Sequence, residues 1–126
     1  MIKMESTKDT SQIPNEARAL RIVQQALDVP MTYTGIRYLA ACLALVMENE
    51  DRFFCLQRSV FAPAAERYGV KTHCIERGIR TVILRCWAGG SVPPLLEMIP
   101  YSLKNIPTVG ELLDLLYRYA VPENRD

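Results

Sequence analysis

Residues 61–80 read FAPAAERYGVKTHCIERGIR and form the most informative part of the chain. A helix-turn-helix needs two helices that meet at a steep angle through a short turn. Ala65 is small enough for a close crossing, and Gly69, four residues later, accepts the positive φ that such a turn requires. Apolar residues that would lock the second helix against the first follow at suitable spacing: Ala64, Tyr68, Val70, Ile75 and Ile79. The stretch therefore predicts a helix-turn-helix whose turn begins at Gly69.

The second helix of this motif, at about 72–88, has a polar flank opposite an apolar one. Residues four apart share a helix face, so the side chains that we call the reading flank lie together: His73, Glu76, Arg77 and Arg80. Arginine can donate two hydrogen bonds to guanine, and glutamate can accept one from the cytosine amino group. We therefore predict that this helix enters the major groove and that the reading flank contacts base edges. Phosphate contacts, which set register without reading sequence, are predicted for Arg67, Lys71, Thr72, Thr81 and Arg85.

Positive charge is concentrated in the centre of the chain. Residues 58–85 carry six Lys and Arg against two Asp and Glu, a net +4, whereas the whole chain has a net charge of only +1. The parts before and after this segment have net charges of −1 and −2. A local basic excess is typical of a phosphate-binding face. One alternative is that this helix is simply exposed, and that an i,i+4 pair between Glu76 and Arg80 stabilises it. Another is that the protein is a helical protein-interaction module or adaptor that does not bind DNA.

Helical periodicity and breaker residues predict an all-α fold, a compact bundle of about six helices. Asn15 and Thr108 are predicted N-caps, the latter in a capping box with Glu111. The predicted domain is 15–121, with flexible tails at 1–14 and 122–126, and Gly89-Gly90 is predicted to end the recognition helix. The predicted helices span about 15–28, 34–48, 53–56, 62–68, 72–88 and 93–98, and one begins after Thr108.

Composition narrows the function classes. The chain has 126 residues, 49% of them hydrophobic and 23% charged, which is typical of one globular domain. The longest uncharged apolar run, Leu39–Met47, is too short for a membrane span, and the polar N-terminus is unlike a secretory signal, so we expect a cytoplasmic protein. Four scattered cysteines and a single histidine predict reduced thiols and no zinc site. His73 and Cys74 are adjacent, so on a helix their side chains point about 100° apart and would make a poor nucleophile–base pair. We therefore expect no enzymatic activity, and we expect no cofactor.

Three segments resemble a known family. They are TGIRYLAACLALVMENED from Thr34, AERYGVKTHCIERGIRTVILRCWAGG from Ala65, and IPTVGELLDLL from Ile106. They are similar to the DNA-binding effector domain of the sporulation response regulator of spore-forming Firmicutes, and the resemblance covers about 17–120. It implies a six-helix domain with its recognition helix near Thr72, double-stranded DNA as the partner, and a weak homodimer on tandem sites. A full-length regulator and the transcription machinery are further partners that this reading allows.

The match is most specific over Ile75–Arg80, and it departs from the family at two points. The family's base-reading pattern is Ser-Arg-x-Glu-Arg. Glu76 and Arg77 match its end, whereas His73 and Cys74 stand where the family has serine and arginine. A thiol cannot make a bidentate guanine contact, so the resemblance does not imply the family's target sequence for this chain. The family also joins this domain to a receiver domain, which this sequence lacks before its first predicted helix, so we expect either a free-standing effector domain or a fragment of a longer protein.

Overall fold

A computed structural model describes residues 13–28, 34–88 and 106–121. Five α-helices occupy most of them: α1 Glu16–Leu27, α2 Thr34–Glu48, α3 Ala62–Tyr68, α4 Thr72–Ala88 and α5 Val109–Ala120. A 3-10 segment, Glu50–Cys55, and a π-helical turn, Gln57–Phe61, join α2 to α3. The described residues contain no strand, and the predicted all-α class is confirmed. Positions 1–12 and 122–126 of the predicted tails, Gly89-Gly90 and the predicted helix at 93–98 lie outside the described residues.

Helix α2 is the centre of the bundle. It is apolar on nearly all sides, and every residue from Leu39 to Val46 is buried. A helix that is hydrophobic all round has to be surrounded by other elements. It packs against α1 and α4, and also against α5, whose leucines Leu112, Leu113, Leu115 and Leu116 are buried. The bounds of α2 agree with the prediction from sequence.

The helix-turn-helix has the predicted turn. Gly69 has φ 67° and ψ 33°, the left-handed conformation that terminates α3. Its N–H bonds to the carbonyl of Glu66 at 3.3 Å, and the N–H of Val70 bonds to the carbonyl of Ala65 at 3.0 Å. This pair of hydrogen bonds is a Schellman motif. Ala65 is buried, as a close crossing requires.

Replacing Gly69 by alanine is expected to lower the free energy of unfolding by about 1–2 kcal/mol, because a Cβ atom is strained at positive φ. A Cβ atom built there meets nothing within 4 Å, so the strain comes from the backbone alone. Urea denaturation of the wild type and the variant measures the difference. Gly69→Asn is the control, and its free energy of unfolding should fall by less, since asparagine tolerates this conformation better than alanine.

The predicted N-cap of α5 is present as a hydrogen-bonded cap, whereas the predicted N-cap of α1 is not. The capping box of α5 is confirmed: the Glu111 N–H donates to Thr108 Oγ1 at 3.1 Å, and the Thr108 N–H donates to Glu111 Oε1 at 2.9 Å. Asn15 precedes α1 as predicted, but its side chain makes no capping hydrogen bond. It instead adopts a left-handed conformation, φ 65°, which asparagine tolerates.

The connection after α2 contains a short helix at the predicted place, but this helix has 3-10 winding and spans Glu50–Cys55. Asn49 accepts a hydrogen bond from the N–H of Asp51 at 3.0 Å and starts the 3-10 segment. Arg52 donates from Nη1 to the carbonyl oxygen of Ser59 at 3.0 Å, and pairs with Glu48 at 3.1 Å. These side-chain bonds hold the tighter 3-10 winding before the π-helical turn leads into α3.

The four cysteines are free thiols, as predicted. Cys42 and Cys86 are buried, and burial raises the pKa of both thiols. Cys55 is exposed and Cys74 is half-buried. Among the described residues, no helix is both long and apolar enough to cross a bilayer.

Candidate nucleic-acid interface

Helix α4 divides into a buried side and an exposed side along its length. Ile75, Ile79, Val82 and Ile83 are at most 1% exposed and fix the helix to the core. On the other side, His73, Arg77 and Arg80 are exposed and Glu76 is half-buried. The reading flank thus forms a continuous polar surface that the other described elements leave open.

The members of the reading flank have different partners. Glu76 Oε2 lies 3.8 Å from Arg80 Nη2, a loose ion pair whose side chains are 35% and 59% exposed. A pair this exposed contributes well under 1 kcal/mol to stability, so both groups can exchange partners at little cost. None of the described residues forms an ion pair with Arg77. His73 Nε2 lies 4.0 Å from Cys74 Sγ, with the histidine exposed.

A groove runs along one edge of the reading flank, between α4 and the start of α5. Its volume is about 530 Å³, and Glu76 and Arg80 line it together with the apolar Leu84 and Ile106. Leu84 is 50% exposed and Ile106 is 46% exposed. Arg77 is not among the residues that line this groove. The flank is therefore polar at its centre and apolar along one edge.

Four of the predicted phosphate-binding residues lie on or next to α4. Lys71 in the turn, Thr81 and Arg85 are exposed, and Thr72 is half-buried at the first position of the helix. The Thr81 hydroxyl donates to the carbonyl oxygen of Arg77 at 3.1 Å. The turn and the helix together give the exposed side of the motif a positive charge at each end.

Arg67, the fifth predicted phosphate-binding residue, has a partner from a distant part of the chain. Its Nε donates to Glu16 Oε1 at 3.0 Å, and its guanidinium lies 4.7 Å from the centre of the Tyr68 ring. The Tyr68 hydroxyl donates to the other oxygen of Glu16. Burial and this hydrogen bond raise the pKa of Tyr68, so the phenol keeps its proton at neutral pH. Glu16 therefore ties the start of α1 to the end of α3.

A contact between two glycines, which we call the glycine crossing, sets the position of α4 against α2. A Cβ atom on Gly35 would overlap the carbonyl oxygen of Gly78 and lie 2.7 Å from its carbonyl carbon. A Cβ atom on Gly78 would lie 2.8 Å from the ring of Tyr38. Only residues without side chains let the two backbones approach this closely. Because Gly78 lies within the turn from Glu76 to Arg80, the crossing fixes how closely this turn of α4 approaches α2.

Two features of this site were not predicted from the sequence. The glycine crossing had one signal, since a glycine inside a helix costs about 1 kcal/mol relative to alanine and calls for a packing reason. The bond between Glu16 and Arg67 had none, because 51 residues separate its partners. In the part of the chain that the structure describes, no three His, Cys, Asp or Glu side chains converge as a metal site would require.

Comparison with known proteins identifies the family of this chain. A family model described as the sporulation initiation factor Spo0A C terminal matches residues 20–120. The match includes α2, α3, α4 and α5 in full. No curated protein matches the chain. The chain belongs to the Spo0A C-terminal family, which consists of DNA-binding effector domains of sporulation regulators.

Proposed function

We propose that this protein is a sequence-specific double-stranded DNA-binding regulator of transcription, and that α4 is its recognition helix. The observation that carries the proposal is the exposed reading flank on a helix whose other side is fully buried. Arg77 and Glu76 specify bases in the major groove, and Arg80 and His73 contact neighbouring bases. Lys71, Thr72, Thr81 and Arg85 hold phosphates on either side, with Arg67 as a further contact.

The order of these residues along α4 supports this division of roles. In a helix-turn-helix the N-terminal part of the recognition helix contacts base edges. His73, Glu76 and Arg77 lie in the first two turns of α4, whereas Arg85 lies in its last turn. Arg77 has the exposure that a bidentate guanine contact needs. The thiol of Cys74 cannot make a bidentate contact to a base, so the preferred target differs from the one that an arginine at this position would select.

Selection of bound duplexes from a random pool tests the proposal, followed by affinity measurements on the selected duplex at several salt concentrations. Three cationic phosphate contacts, from Lys71, Arg85 and Arg67, predict a slope of log affinity against log salt of about −2.7. Stoichiometry on the selected duplex also tests whether two domains occupy tandem sites. A pool that yields no enriched sequence, or a slope near zero, contradicts the proposal.

A second candidate function is a protein-interaction module without DNA binding. The groove beside the reading flank favours it, because Leu84 and Ile106 expose apolar surface there. A full-length regulator of the same family or the transcription machinery would supply the partner. Ile106→Ser separates the two functions: it removes exposed apolar surface from the groove without adding a charge, and it should leave duplex affinity nearly unchanged if DNA binding is the activity, since Ile106 lies outside the proposed base and phosphate contacts.

A further inference from the structure

Four side chains from three helices meet beside the helix-turn-helix; we call them the Glu16 cluster. Glu16 comes from α1, Arg37 from α2, and Arg67 and Tyr68 from the end of α3. They line a cleft of about 480 Å³. Arg37 is exposed at its edge, and its charge acts on the Tyr68 hydroxyl. The cleft holds two positive charges and one negative charge from these residues.

The geometry inside the cluster is that of a site for an anion with two oxygens. One oxygen of Glu16 accepts from the Arg67 guanidinium at 3.0 Å, and the other accepts from the Tyr68 hydroxyl. Arginine stays protonated at any physiological pH, and the Tyr68 phenol keeps its proton because its pKa is raised. Both donors therefore persist if the carboxylate leaves. Two oxygens of a phosphate group would satisfy the same two donors.

We propose that the Glu16 cluster is an anion site in which the Glu16 carboxylate stands in for a phosphate of the DNA backbone. On duplex binding, a phosphate replaces Glu16 on Arg67 and Tyr68, beside the exposed Arg37. This inference rests on the proposed function. It makes Glu16 an internal competitor that lowers affinity for all duplexes alike.

The location of the cluster in the fold favours a DNA phosphate as the incoming group. Arg67 and Tyr68 directly precede Gly69, and the turn continues to Lys71, which is exposed. Tyr68 packs edge-on against Tyr38, with ring centres 5.2 Å apart, and Tyr38 lies against Gly78 of the recognition helix. The cluster is thus linked to α4 through Tyr38, on the side of the helix that carries Gly78. Because Arg67 and Tyr68 end α3 directly before the turn that carries Lys71, a phosphate next to the one that Lys71 contacts is the group that can reach the cleft.

Glu16→Gln tests the proposal, because glutamine keeps an oxygen that accepts a hydrogen bond but carries no charge. The variant is expected to bind selected and random duplexes about five- to tenfold more tightly at 0.1 M salt. Its salt slope should match that of the wild type, because both proteins make the same phosphate contacts and only the competing carboxylate is removed. Glu16→Gln/Arg67→Ala should lose the gain in affinity, and its slope should be shallower by about 0.9, the value for one lost phosphate contact.

Glu66→Gln is the matched control. Glu66 is exposed on α3, next to Arg67 in sequence, and its removal changes the net charge of the domain by the same amount. It is expected to change duplex affinity by less than twofold and to leave the slope unchanged. Equal gains for Glu16→Gln and Glu66→Gln would overturn the proposal, since general charge repulsion would then explain both. No gain in affinity for Glu16→Gln, or a gain that persists in Glu16→Gln/Arg67→Ala, would also overturn it.

A measurement on the wild-type protein covers the case in which Glu16→Gln does not fold. The Arg67 Nε–H resonance should shift when saturating duplex is added, and an unmoved resonance contradicts the proposal. If the wild type binds no duplex at all, the proposed function fails on its own. Inorganic phosphate added to Glu16→Gln then tests the anion site separately: a shift of the same resonance supports the site, and no shift overturns it.

Discussion

Gly35→Ala is expected to be the most damaging single-methyl change in the described structure, lowering the free energy of unfolding by about 3 kcal/mol. The added Cβ atom would overlap the Gly78 carbonyl oxygen and lie 2.7 Å from Val82 Cγ2. The obstacle is backbone on one side and a core residue on the other, so neither side can move without shifting α4. Alanine has the higher helix propensity, so a loss of stability cannot come from propensity.

Chemical denaturation checks this prediction, and thermal unfolding should show a drop of roughly 10–15 °C. Gly110→Ala is the matched control, since a Cβ atom there meets Leu56 Cδ1 at 3.1 Å and nothing else within 4 Å. The end of a leucine side chain can move aside, so this variant should be neutral or slightly more stable. Equal effects at the two glycines would show that the close crossing of α2 and α4 is not required for stability.

Arg77→Ala is expected to weaken binding to the selected duplex by about 1–3 kcal/mol, roughly five- to 150-fold, through loss of a bidentate base contact. Binding to random duplex should change by less than threefold. The physical reason is that Arg77 is exposed and outside any ion pair with the described residues, so its removal disturbs no packing. Affinities for the selected duplex, for single-base variants of it and for random sequence measure the effect.

Lys71→Ala provides the comparison for Arg77→Ala. It removes one positive charge from the turn, and it should weaken binding to selected and to random duplexes by the same factor. It should also make the slope of log affinity against log salt shallower by about 0.9. Arg77→Ala should also relax preference at one base pair, which Lys71→Ala should not do. Loss of the same size on selected and random duplexes for Arg77→Ala would contradict a base-reading role.

Local sequence signals predicted the regular helices well because those signals are local in the structure too. Thr34–Glu48 and Thr72–Ala88 have the bounds that their apolar periodicity indicated. The capping box at Thr108 and the turn at Gly69 each depend on residues within five positions. The connection from Glu50 to Phe61 was predicted only as a short helix at 53–56, because apolar spacing over so few residues does not reveal 3-10 or π-helical winding.

For the candidate site, sequence could indicate which residues share a face but not how that face is held. The polar flank of α4 and its apolar opposite side follow from a repeat of 3.6 residues, and the burial of Ile75 and Ile79 agrees with it. The glycine crossing joins positions 43 residues apart and could not be paired from one sequence. Arg67 was predicted as a phosphate contact, and its bond to Glu16 depends on how α1 packs, which only the tertiary structure specifies.

Under the proposed function, the glycine crossing also affects how new operator preferences can arise. The contact between α2 and α4 is made of main-chain atoms at Gly35 and Gly78, while the exposed positions 73, 77 and 80 make no contribution to it. Substitutions at those three positions therefore leave the position of α4 against α2 unchanged. A combinatorial library at these codons should consist mostly of folded members that differ in the operators they prefer, so that one scaffold can be reprogrammed without redesign of its interior.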